Sequence, residues 1–406
     1  MIRIFSNQKK IFGEIKLEAS KSISNRLLII KNLTNLDFKI HNLSSANDTQ
    51  VLLKVLSNFE NKETINCEDA GTALRFIIPF LASKKGKWEI FGTKRMHQRP
   101  VGPLVESLKE LGCHISYLEK EGFPPVYISS NGLAGGSLSI KGDVSSQYIS
   151  ALLLVAPTLK KGLNITISSV LNSAPYVKMT LELMKSFGVN YNWDNNRIEV
   201  KEQEYVLRSS TVENDWSAAS FWYSFIALSK EGSIKIPHLY KNSIQGDAIL
   251  SDLYTSFGVN TEFNENCVLL TKSIKVAKEV NLNLSNHPDL ALPIVVTCAG
   301  LGIKGQLNGL ESLKIKESDR LVSIKKELNK FNISVEIDDS SIKIKENQKV
   351  VQPTSIIECH NDHRIAMSIA PLCMKVDSIK FDDKDVVNKS YPKFWEDFDR
   401  ASENNN

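Results

Sequence analysis

The stretch LVESLKELGCHI (residues 104–115) contains the pattern that decides the fold of the chain. Its apolar residues Leu108 and Leu111 lie four and one positions before Gly112, which is helical spacing with glycine as the left-handed cap. We therefore interpret this stretch as the end of an amphipathic helix. The same ending recurs in LELMKSFGVNY (residues 181–191), LSDLYTSFGVNT (residues 250–261) and IKKELNKFNISVEI (residues 324–337).

In the fourth copy, Asn332 takes the position of the glycine, and asparagine is the usual second choice for a positive φ. Strand-like runs such as residues 197–200 and 342–344 follow the caps. The caps recur about every 70 to 76 residues, which is too long a period for a solenoid. The alternative is a chance similarity of helix ends. We interpret the pattern as a recurring βαβαββ unit, and we expect two similar α/β domains with a cleft between them.

The composition is that of an ordinary globular protein of two domains. The chain has 406 residues, of which 42% are hydrophobic and 24% charged. A net charge of +4 does not indicate an extended nucleic-acid surface. No apolar run approaches the roughly 20 residues that span a bilayer, and the N-terminus lacks the apolar core of a signal peptide. Six cysteines without a CxxC pair indicate free thiols, so we expect a cytoplasmic protein.

Arginine is scarce, and its positions are informative. The chain has ten arginines among its 50 basic residues. Six of them lie in motif-like segments: Arg26, Arg75, Arg95, Arg99, Arg320 and Arg364. Arginine marks places where a guanidinium can bind a carboxylate or phosphate through two hydrogen bonds, which the ammonium of lysine cannot replace. Clustered arginines of this kind indicate a small, multiply charged substrate.

The segment SKSISNR (residues 20–26) has two cations and three hydroxyls directly before an apolar run. A serine-rich turn at a helix N-terminus attracts anions, and Lys21 and Arg26 add charge. The alternative is an ordinary N-cap with solvated side chains. Later segments have a similar character and similar capping or surface alternatives: DAGTALR (residues 69–75), KRMHQRP (residues 94–100), SSQ (residues 145–147), SAPY (residues 173–176) and HPD (residues 287–289).

Two charged segments follow near the end. In KESDR (residues 316–320), a helix would place Lys316 and Arg320 on one face with Glu317 beside them, although a solvated charge ladder is the alternative. The segment CHNDHR (residues 359–364) has histidines at i and i+3, but Arg364 would repel a dication and Cys359 has no partner at zinc spacing. We therefore expect no metal. The segment NKSYP (residues 388–392) is the last of these segments and adds the cation Lys389.

These motifs, in this order, resemble the EPSP synthases (3-phosphoshikimate 1-carboxyvinyltransferases) of the enolpyruvyl transferase family, from about residue 14 to residue 396. The resemblance implies two domains, residues 20–212 and residues 1–19 with 213–406, each of three βαβαββ units in an inside-out α/β barrel. It places the active site in the cleft between them. The first domain would carry the phosphate-binding serines. The second would carry Asp289, residues 316–320, Arg364 and Lys389.

The implied reaction moves the carboxyvinyl group of phosphoenolpyruvate to the 5-hydroxyl of shikimate 3-phosphate, in the shikimate pathway to chorismate and the aromatic amino acids. It releases phosphate and needs no metal or organic cofactor. The implied partners are these two small molecules, with no nucleic acid, no membrane and a monomeric enzyme.

The resemblance also implies roles for single residues. Asp289 would be the base on the acceptor hydroxyl and Glu317 the proton shuttle, with Lys21 and His363 as further participants. The shikimate 3-phosphate site would comprise Ser22 and Arg26 at the carboxylate, Ser145, Ser146 and Ser173 at the phosphate, Gln147, Tyr176, Asp289 and Lys316 at the ring, and Lys21 as a further contact. The phosphoenolpyruvate site would comprise Lys21, Gly71, Arg99 and Lys389 around the phosphate, Arg320 and Arg364 at the carboxylate, and Gln147 as a further contact.

Some residues depart from the common family pattern. Asp69 replaces an asparagine and Phe76 replaces a proline, and both are close to Gly71, beside which the inhibitor glyphosate needs space. We expect a glyphosate-sensitive enzyme. One alternative is the related transferase that acts on a UDP-sugar, which uses a cysteine in a glycine-rich loop, whereas Cys113 has no such loop. Another is a phosphate-binding protein of the same fold without activity.

Overall fold

The computed structural model of the protein describes residues 1–34, 38–143, 145–206, 208–346 and 348–403. The strands are β1 (Ile2–Phe5), β2 (Lys10–Glu14), β3 (Ile40–His41), β4 (Thr64–Asn66), β5 (Lys85–Phe91), β6 (His114–Tyr117), β7 (Val126–Asn131), β8 (Gly136–Ile140), β9 (Leu163–Ile167), β10 (Asn192–Asp194), β11 (Arg197–Val200), β12 (Ser210–Thr211), β13 (Glu231–Pro237), β14 (Val259–Asn264), β15 (Cys267–Lys272), β16 (Glu279–Asn283), β17 (Lys304–Asn308), β18 (Val335–Ile337), β19 (Ser341–Ile344) and β20 (Ser378–Phe381).

The α-helices are α1 (Lys21–Leu33), α2 (Asn47–Leu56), α3 (Gly71–Ala82), α4 (Gly102–Glu110), α5 (Ser146–Val155), α6 (Ala174–Ser186), α7 (Trp216–Leu228), α8 (Leu250–Leu253), α9 (Ala291–Leu301), α10 (Arg320–Asn329), α11 (His363–Ile369) and α12 (Phe394–Glu403). Short 3₁₀ helices connect some of them. Those that concern the site are Met96–Gln98, Pro288–Leu290, Glu311–Ile315 and Asp385–Lys389.

The chain divides into two compact units. One is continuous in sequence and comprises Ser20–Val212, and the other is split and comprises Met1–Ala19 with Glu213–Asn406. We refer to them as the continuous unit and the split unit.

Each unit repeats the same sheet topology. In the continuous unit, the strands of two sheets run in the orders β4-β5-β7-β6 and β8-β9-β11-β10. The first pair in each sheet is parallel and the other two pairs are antiparallel. The split unit contains β2-β13-β15-β14 and β16-β17-β19-β18 with the same pattern of directions. A two-stranded sheet completes each unit, β3-β12 in the first and β1-β20 in the second. The predicted two-domain α/β fold built from βαβαββ units is confirmed.

The four repeated helix ends adopt the predicted backbone conformation. Gly112, Gly188, Gly258 and Asn332 all have positive φ angles, of 93°, 86°, 76° and 61°. A strand of the corresponding sheet begins within a few residues of each cap: β6, β10, β14 and β18. The left-handed residue thus turns the chain from a helix into the hairpin that ends each repeat.

The core of each unit consists of helices that are apolar on nearly all faces. In α9 every residue from Ala291 to Gly300 is buried, and α7 is buried except at Ser217. A helix that is apolar all round must be covered on all sides by protein. In the continuous unit, α3 and α5 have the same character. None of the helices in the described ranges has the length and apolar character that crossing a membrane requires.

A cap residue needs a left-handed backbone and also enough space around it. The two glycine caps of the continuous unit allow a matched test of how much the available space contributes to stability. A side chain at Gly112 would meet no atom within 4 Å, whereas one at Gly188 would lie 2.6 Å from Val206 Cγ2. We expect Gly112→Ala to lower the free energy of unfolding by about 1 kcal/mol, the cost of a left-handed alanine. Gly188→Ala should cost roughly 1–3 kcal/mol more because of overpacking. Denaturant unfolding of both variants measures the difference, and equal losses would contradict this account.

Candidate functional site

The N-terminus of α1 carries the first cation of the site. The Ser20 side chain caps the helix, and its Oγ accepts a hydrogen bond from the Ile23 N–H at 3.4 Å. The Lys21 ammonium, at the first helical position, lies 3.2 Å from Asp48 Oδ2 at the start of α2. The Asp48 carboxylate is buried and therefore fixes the direction of the lysine side chain.

Arg26 lies one turn further along α1 and is only 2% exposed. Its Nε donates to Thr180 Oγ1 at 2.7 Å, and its Nη1 donates to the Ser22 carbonyl at 2.8 Å. Its Nη2 donates to Ser150 Oγ at 3.2 Å and to the Tyr176 carbonyl at 3.3 Å. Burial lowers the pKa of this guanidinium to about 9, and it remains charged at neutral pH. The contacts link the N-terminal parts of α1, α5 and α6.

Gly71 begins α3, and its lack of a side chain allows two guanidinium groups to approach. A Cβ at this position would lie 2.5 Å from Arg99 Nη1 and 2.8 Å from Arg75 Nη1. Arg75 Nη1 donates to the Gly71 carbonyl and to Gln147 Oε1, both at 3.2 Å. Arg99 follows the 3₁₀ helix Met96–Gln98 and is buried. Gln147 is thereby held beside the start of α3 through Arg75.

The predicted phosphate-binding serines lie at the starts of α5 and α6. Ser145 is the N-cap of α5, and its Oγ accepts from the Gln147 N–H at 3.3 Å, so the capping alternative applies to this residue. Ser146 is the first helical residue. Ser173 is the N-cap of α6 with a left-handed backbone, φ 58°, and within the described chain its side chain makes no capping hydrogen bond. A left-handed serine is uncommon and is one of the strained geometries that cluster at binding sites.

The N-cap residues of the helices in the continuous unit are all uncharged. The N-cap residues of α1 to α6 are Ser20, Ala46, Ala70, Val101, Ser145 and Ser173. A helix N-terminus carries a partial positive charge and unsatisfied N–H groups. Without acidic caps, these ends can act on an external anion, together with Lys21 and the arginines.

In the split unit, Arg320 is the centre of a network of three carboxylates. It begins α10 and is 2% exposed. Its Nε lies 2.9 Å and its Nη2 3.2 Å from the two oxygens of Asp362. Nη2 also lies 2.9 Å from Glu317 Oε2, and Nη1 lies 3.4 Å from Asp289 Oδ1. Burial acts to lower the pKa of Arg320, but attraction to Asp362 and Glu317 outweighs it and raises the pKa above its ordinary value.

The three carboxylates differ in exposure. The Asp362 side chain is fully buried, whereas 13% of Glu317 and 23% of Asp289 remain exposed. Asp289 also accepts from Arg364, whose Nη2 lies 2.8 Å from Oδ2. Asp289 lies in the 3₁₀ helix Pro288–Leu290 and does not cap α9, which excludes the capping alternative for this residue. Asp289 and Glu317 thus share one guanidinium and can meet a ligand.

The expectation that Lys316 and Arg320 share a helical face is wrong. The 3₁₀ helix Glu311–Ile315 ends before Lys316, whose ψ of −154° is extended, and α10 begins only at Arg320. The reason is Asp319, whose side chain accepts from the Val322 N–H at 3.2 Å and acts as an N-cap. An aspartate in that role keeps the preceding residues outside the helix.

The remaining predicted residues also lie in the split unit. His363 is the first residue of α11, is 2% exposed and has its Nδ1 3.8 Å from Asp362 Oδ1. Lys389 ends the 3₁₀ helix Asp385–Lys389 and is buried.

One acidic cluster has the geometry of a metal site, but its carboxylates are already paired with lysine side chains. Ligand atoms of Glu327, Glu358 and His360 lie within 4.8 Å of one another. Lys330 Nζ lies 2.8 Å from Glu327 and 3.6 Å from Glu358, and Lys326 Nζ lies 2.8 Å from Glu358. The cluster is therefore a charge network, and it includes His360 of the CHNDHR segment.

Sequence reasoning assigned no role to several residues that hold the site together. They are Asp48, Phe76, Ser150, Thr180 and Asp362. Asp362 stood inside a quoted motif, and its position before a helix was a usable signal for an N-cap. Phe76 follows the DAGTALR segment and stood out only as a departure from the family pattern, and the other three have no local signal because their partners are distant in sequence.

The continuous unit thus has helix starts with cations and hydroxyl groups, and the split unit has two accessible carboxylates on one arginine, features typical of α/β enzymes that act on small anions. The family model described as EPSP synthase (3-phosphoshikimate 1-carboxyvinyltransferase) matches residues 5–66 and 57–398. The chain belongs to the EPSP synthase family, and the resemblance inferred from the sequence motifs is confirmed.

Individual relatives agree with this assignment. A 3-phosphoshikimate 1-carboxyvinyltransferase of Bacteroides fragilis (strain NCTC 9343) is 42% identical over 98% of this chain and 97% of its own length. One of Shewanella baltica (strain OS185) is 34% identical over 96% of each chain. A solved EPSP synthase structure from Acinetobacter baumannii has a TM-score of 0.78 at 20% identity, covering 98% of this chain and 97% of its own. That structure supports the fold alone.

Two aspartate N-caps of the split unit allow the buried charge of Asp362 to be tested. Asp362→Asn keeps the capping oxygen but removes a counter-charge from the buried Arg320, so we expect a loss of about 3 kcal/mol in the free energy of unfolding. Asp319→Asn is the matched control, because asparagine caps a helix as well as aspartate does, and it should change stability by less than about 0.5 kcal/mol. Denaturant unfolding compares the two, and a similar loss in both would refute the assigned role.

Proposed function

We propose that this chain transfers the carboxyvinyl group of phosphoenolpyruvate to the 5-hydroxyl of shikimate 3-phosphate, with release of phosphate. The product would be 5-enolpyruvylshikimate 3-phosphate, on the shikimate pathway to chorismate and the aromatic amino acids. Family membership supports this proposal. The observation that carries it is that Asp289 and Glu317 share the Arg320 guanidinium. Anion binding alone calls for cations, whereas accessible carboxylates in such a site indicate proton transfer.

The chemistry requires one addition and one elimination. The acceptor oxygen forms a bond to C2 of phosphoenolpyruvate while C3 gains a proton, which gives a tetrahedral adduct. The bond from C2 to the phosphate oxygen then breaks, and C3 loses a proton to restore the double bond. We assign Asp289 to the proton of the hydroxyl and Glu317 to the proton at C3, with Lys21 and His363 as further participants. These steps balance with side chains alone.

The continuous unit would bind shikimate 3-phosphate. Its uncharged helix caps leave partial positive charge for a phosphate, and Arg26 supplies a buried cation for the carboxylate. The residues proposed for this substrate are Lys21, Ser22, Arg26, Ser145, Ser146, Gln147, Ser173 and Tyr176, with Asp289 and Lys316 from the split unit.

Phosphoenolpyruvate would be bound by cations of both units. Arg99 and Arg75 approach Gly71 closely, which concentrates positive charge at the start of α3. The proposed residues are Lys21, Gly71, Arg99 and Lys389 around the phosphate, Arg320 and Arg364 at the carboxylate, and Gln147 as a further contact. That residues of both units serve one reaction is part of this proposal.

The alternative transferase that acts on a UDP-sugar receives no support from Cys113. This cysteine lies at the start of the β6 hairpin and is buried, and burial raises the pKa of its thiol. A buried thiol of raised pKa is a poor nucleophile or acid.

Further parts of the proposal concern location and assembly. We place the enzyme in the cytoplasm as a monomer that binds neither nucleic acid nor membranes. All six cysteines are free, which suits a reducing compartment.

The proposed reaction is tested by measuring phosphate release. The purified chain with both substrates should release one phosphate per enolpyruvyl product, and omission of either substrate should abolish the release. Asp289→Asn and Glu317→Gln should each lower turnover by roughly 100-fold or more, as expected for proton-transfer groups. Shikimate 3-phosphate should still bind to both variants in a calorimetric titration. Near-wild-type turnover in either variant would remove its acid–base role, and no release by the wild type would refute the function.

Glyphosate inhibition tests the environment of Gly71. We expect sensitivity in the wild type, with competition against phosphoenolpyruvate at saturating shikimate 3-phosphate. Gly71→Ala should raise the inhibition constant by about tenfold or more, because a methyl group 2.5 Å from Arg99 Nη1 must displace the guanidinium. The Michaelis constant for phosphoenolpyruvate should also rise.

The control for this variant is Gly102→Ala. Gly102 likewise begins a helix of the continuous unit, but an added Cβ would be 3.4 Å from its nearest neighbour, Gly122 Cα. This variant should keep wild-type inhibition. Equal resistance in both variants, or a wild type insensitive at millimolar glyphosate, would contradict the account.

A further inference from the structure

Arg26 is a buried charge whose described contacts are all to uncharged groups. Its hydrogen-bond acceptors are two hydroxyls and two carbonyls, and none of the ion pairs among the described residues includes it. A buried cation without a counter-ion is costly, since neutral acceptors only partly replace water. These four bonds use four of the five guanidinium N–H groups, which leaves one on Nη1 beside Ser22.

An aromatic ring provides the remaining stabilisation. The guanidinium carbon of Arg26 lies 5.2 Å from the centroid of the Phe76 ring on α3. The negative face of an aromatic ring attracts a cation within about 6 Å, and the attraction is strongest where water is excluded. Phe76 is 1% exposed, so this contact is desolvated.

The two kinds of contact restrain the guanidinium in complementary ways. Thr180, Ser150 and the two carbonyls hold the N–H groups, whereas Phe76 covers the guanidinium carbon. The hydrogen bonds to Thr180 and Ser150 tie the group to α6 and α5, and the contact with the Phe76 ring ties it to α3. The direction of the remaining Nη1 N–H is thereby fixed before any ligand arrives.

We propose that Phe76 is a positioning residue for shikimate 3-phosphate, which acts by holding the Arg26 guanidinium against the substrate carboxylate. This inference rests on the proposed function, in which Arg26 binds that carboxylate. Because Phe76 reaches the substrate only through Arg26, it affects acceptor binding and not the chemical step.

The chain offers a closely matched control for Phe76. Phe80 lies one turn further along α3 and is 0% exposed. Its ring packs edge-on against Phe59 at 5.1 Å and lies 5.4 Å from the Lys84 ammonium, and it does not cover Arg26. Phe76→Leu and Phe80→Leu therefore remove equally buried rings from the same helix. Phe76→Tyr keeps the ring face over the guanidinium.

The first measurement is calorimetric titration of each variant with shikimate 3-phosphate, together with steady-state kinetics. Phe76→Leu should raise the dissociation constant and the Michaelis constant for shikimate 3-phosphate by about tenfold, with little change in kcat or in the Michaelis constant for phosphoenolpyruvate. Phe80→Leu should remain within about twofold of the wild type, and Phe76→Tyr should restore binding. An equal effect of Phe80→Leu would show that general packing is responsible and would overturn the proposal.

The second measurement does not depend on substrate or turnover. The Arg26 Nε–Hε resonance in ¹⁵N-labelled protein should feel the ring current of Phe76. Phe76→Leu should shift it and speed its exchange with water, whereas Phe80→Leu should leave it unchanged. If the wild type binds no shikimate 3-phosphate, the proposed function fails while this resonance still reports whether Phe76 holds Arg26. An unchanged resonance in Phe76→Leu would overturn the positioning role.

Discussion

A guanidinium that leaves water must find acceptors for its N–H groups, and the candidate site residues of each unit are arranged around this requirement. Arg320 meets it with three carboxylates, of which Asp362 is fully buried. Arg26 meets it with neutral oxygens and the ring of Phe76. The first solution places carboxylates, among them the two proposed acid–base groups, around a cation. The second keeps a positive charge uncompensated within the protein, which suits it to an incoming anion.

The repeated fold explains why both arginines lie where they do. The apolar bodies of the helices form the core, and basic side chains lie at the starts of some of them, such as Lys21 in α1 and His363 in α11. Because the units of one domain are built alike, their helix starts can be joined by side chains. Arg26 joins α1, α5 and α6, and Arg320 joins the starts of α10 and α11. Fold and site are therefore consequences of the same repeat.

The sequence predicted the features whose signal is local. Gly112 and Asn332 could be identified as caps because the neighbouring apolar spacing is visible in the chain, and the resemblance supplied the ordered motifs. The contact between Arg320 and Asp362 joins residues 42 apart, and that between Arg26 and Thr180 joins residues 154 apart. No local pattern specifies such pairs. The prediction that Lys316 lies in a helix was wrong because an aspartate such as Asp319 can lie either inside a helix or at its N-cap. The spacing of the charged residues does not distinguish these two roles.

The structure also shows that Gly71 and Phe76, which are close in the sequence, lie near different arginines. Gly71 and Phe76 are five residues apart on α3; Gly71 matches the common pattern of the family, whereas Phe76 departs from it. An added side chain at Gly71 would meet Arg99 and Arg75, whereas Phe76 contacts Arg26. The aromatic residue therefore bears on the arginine proposed for the acceptor carboxylate and leaves the turn at Gly71 unfilled. Along one helix, Gly71 thus lies beside Arg99 and Arg75 and Phe76 lies beside Arg26, and under the proposed function a substitution at each position acts on a different substrate.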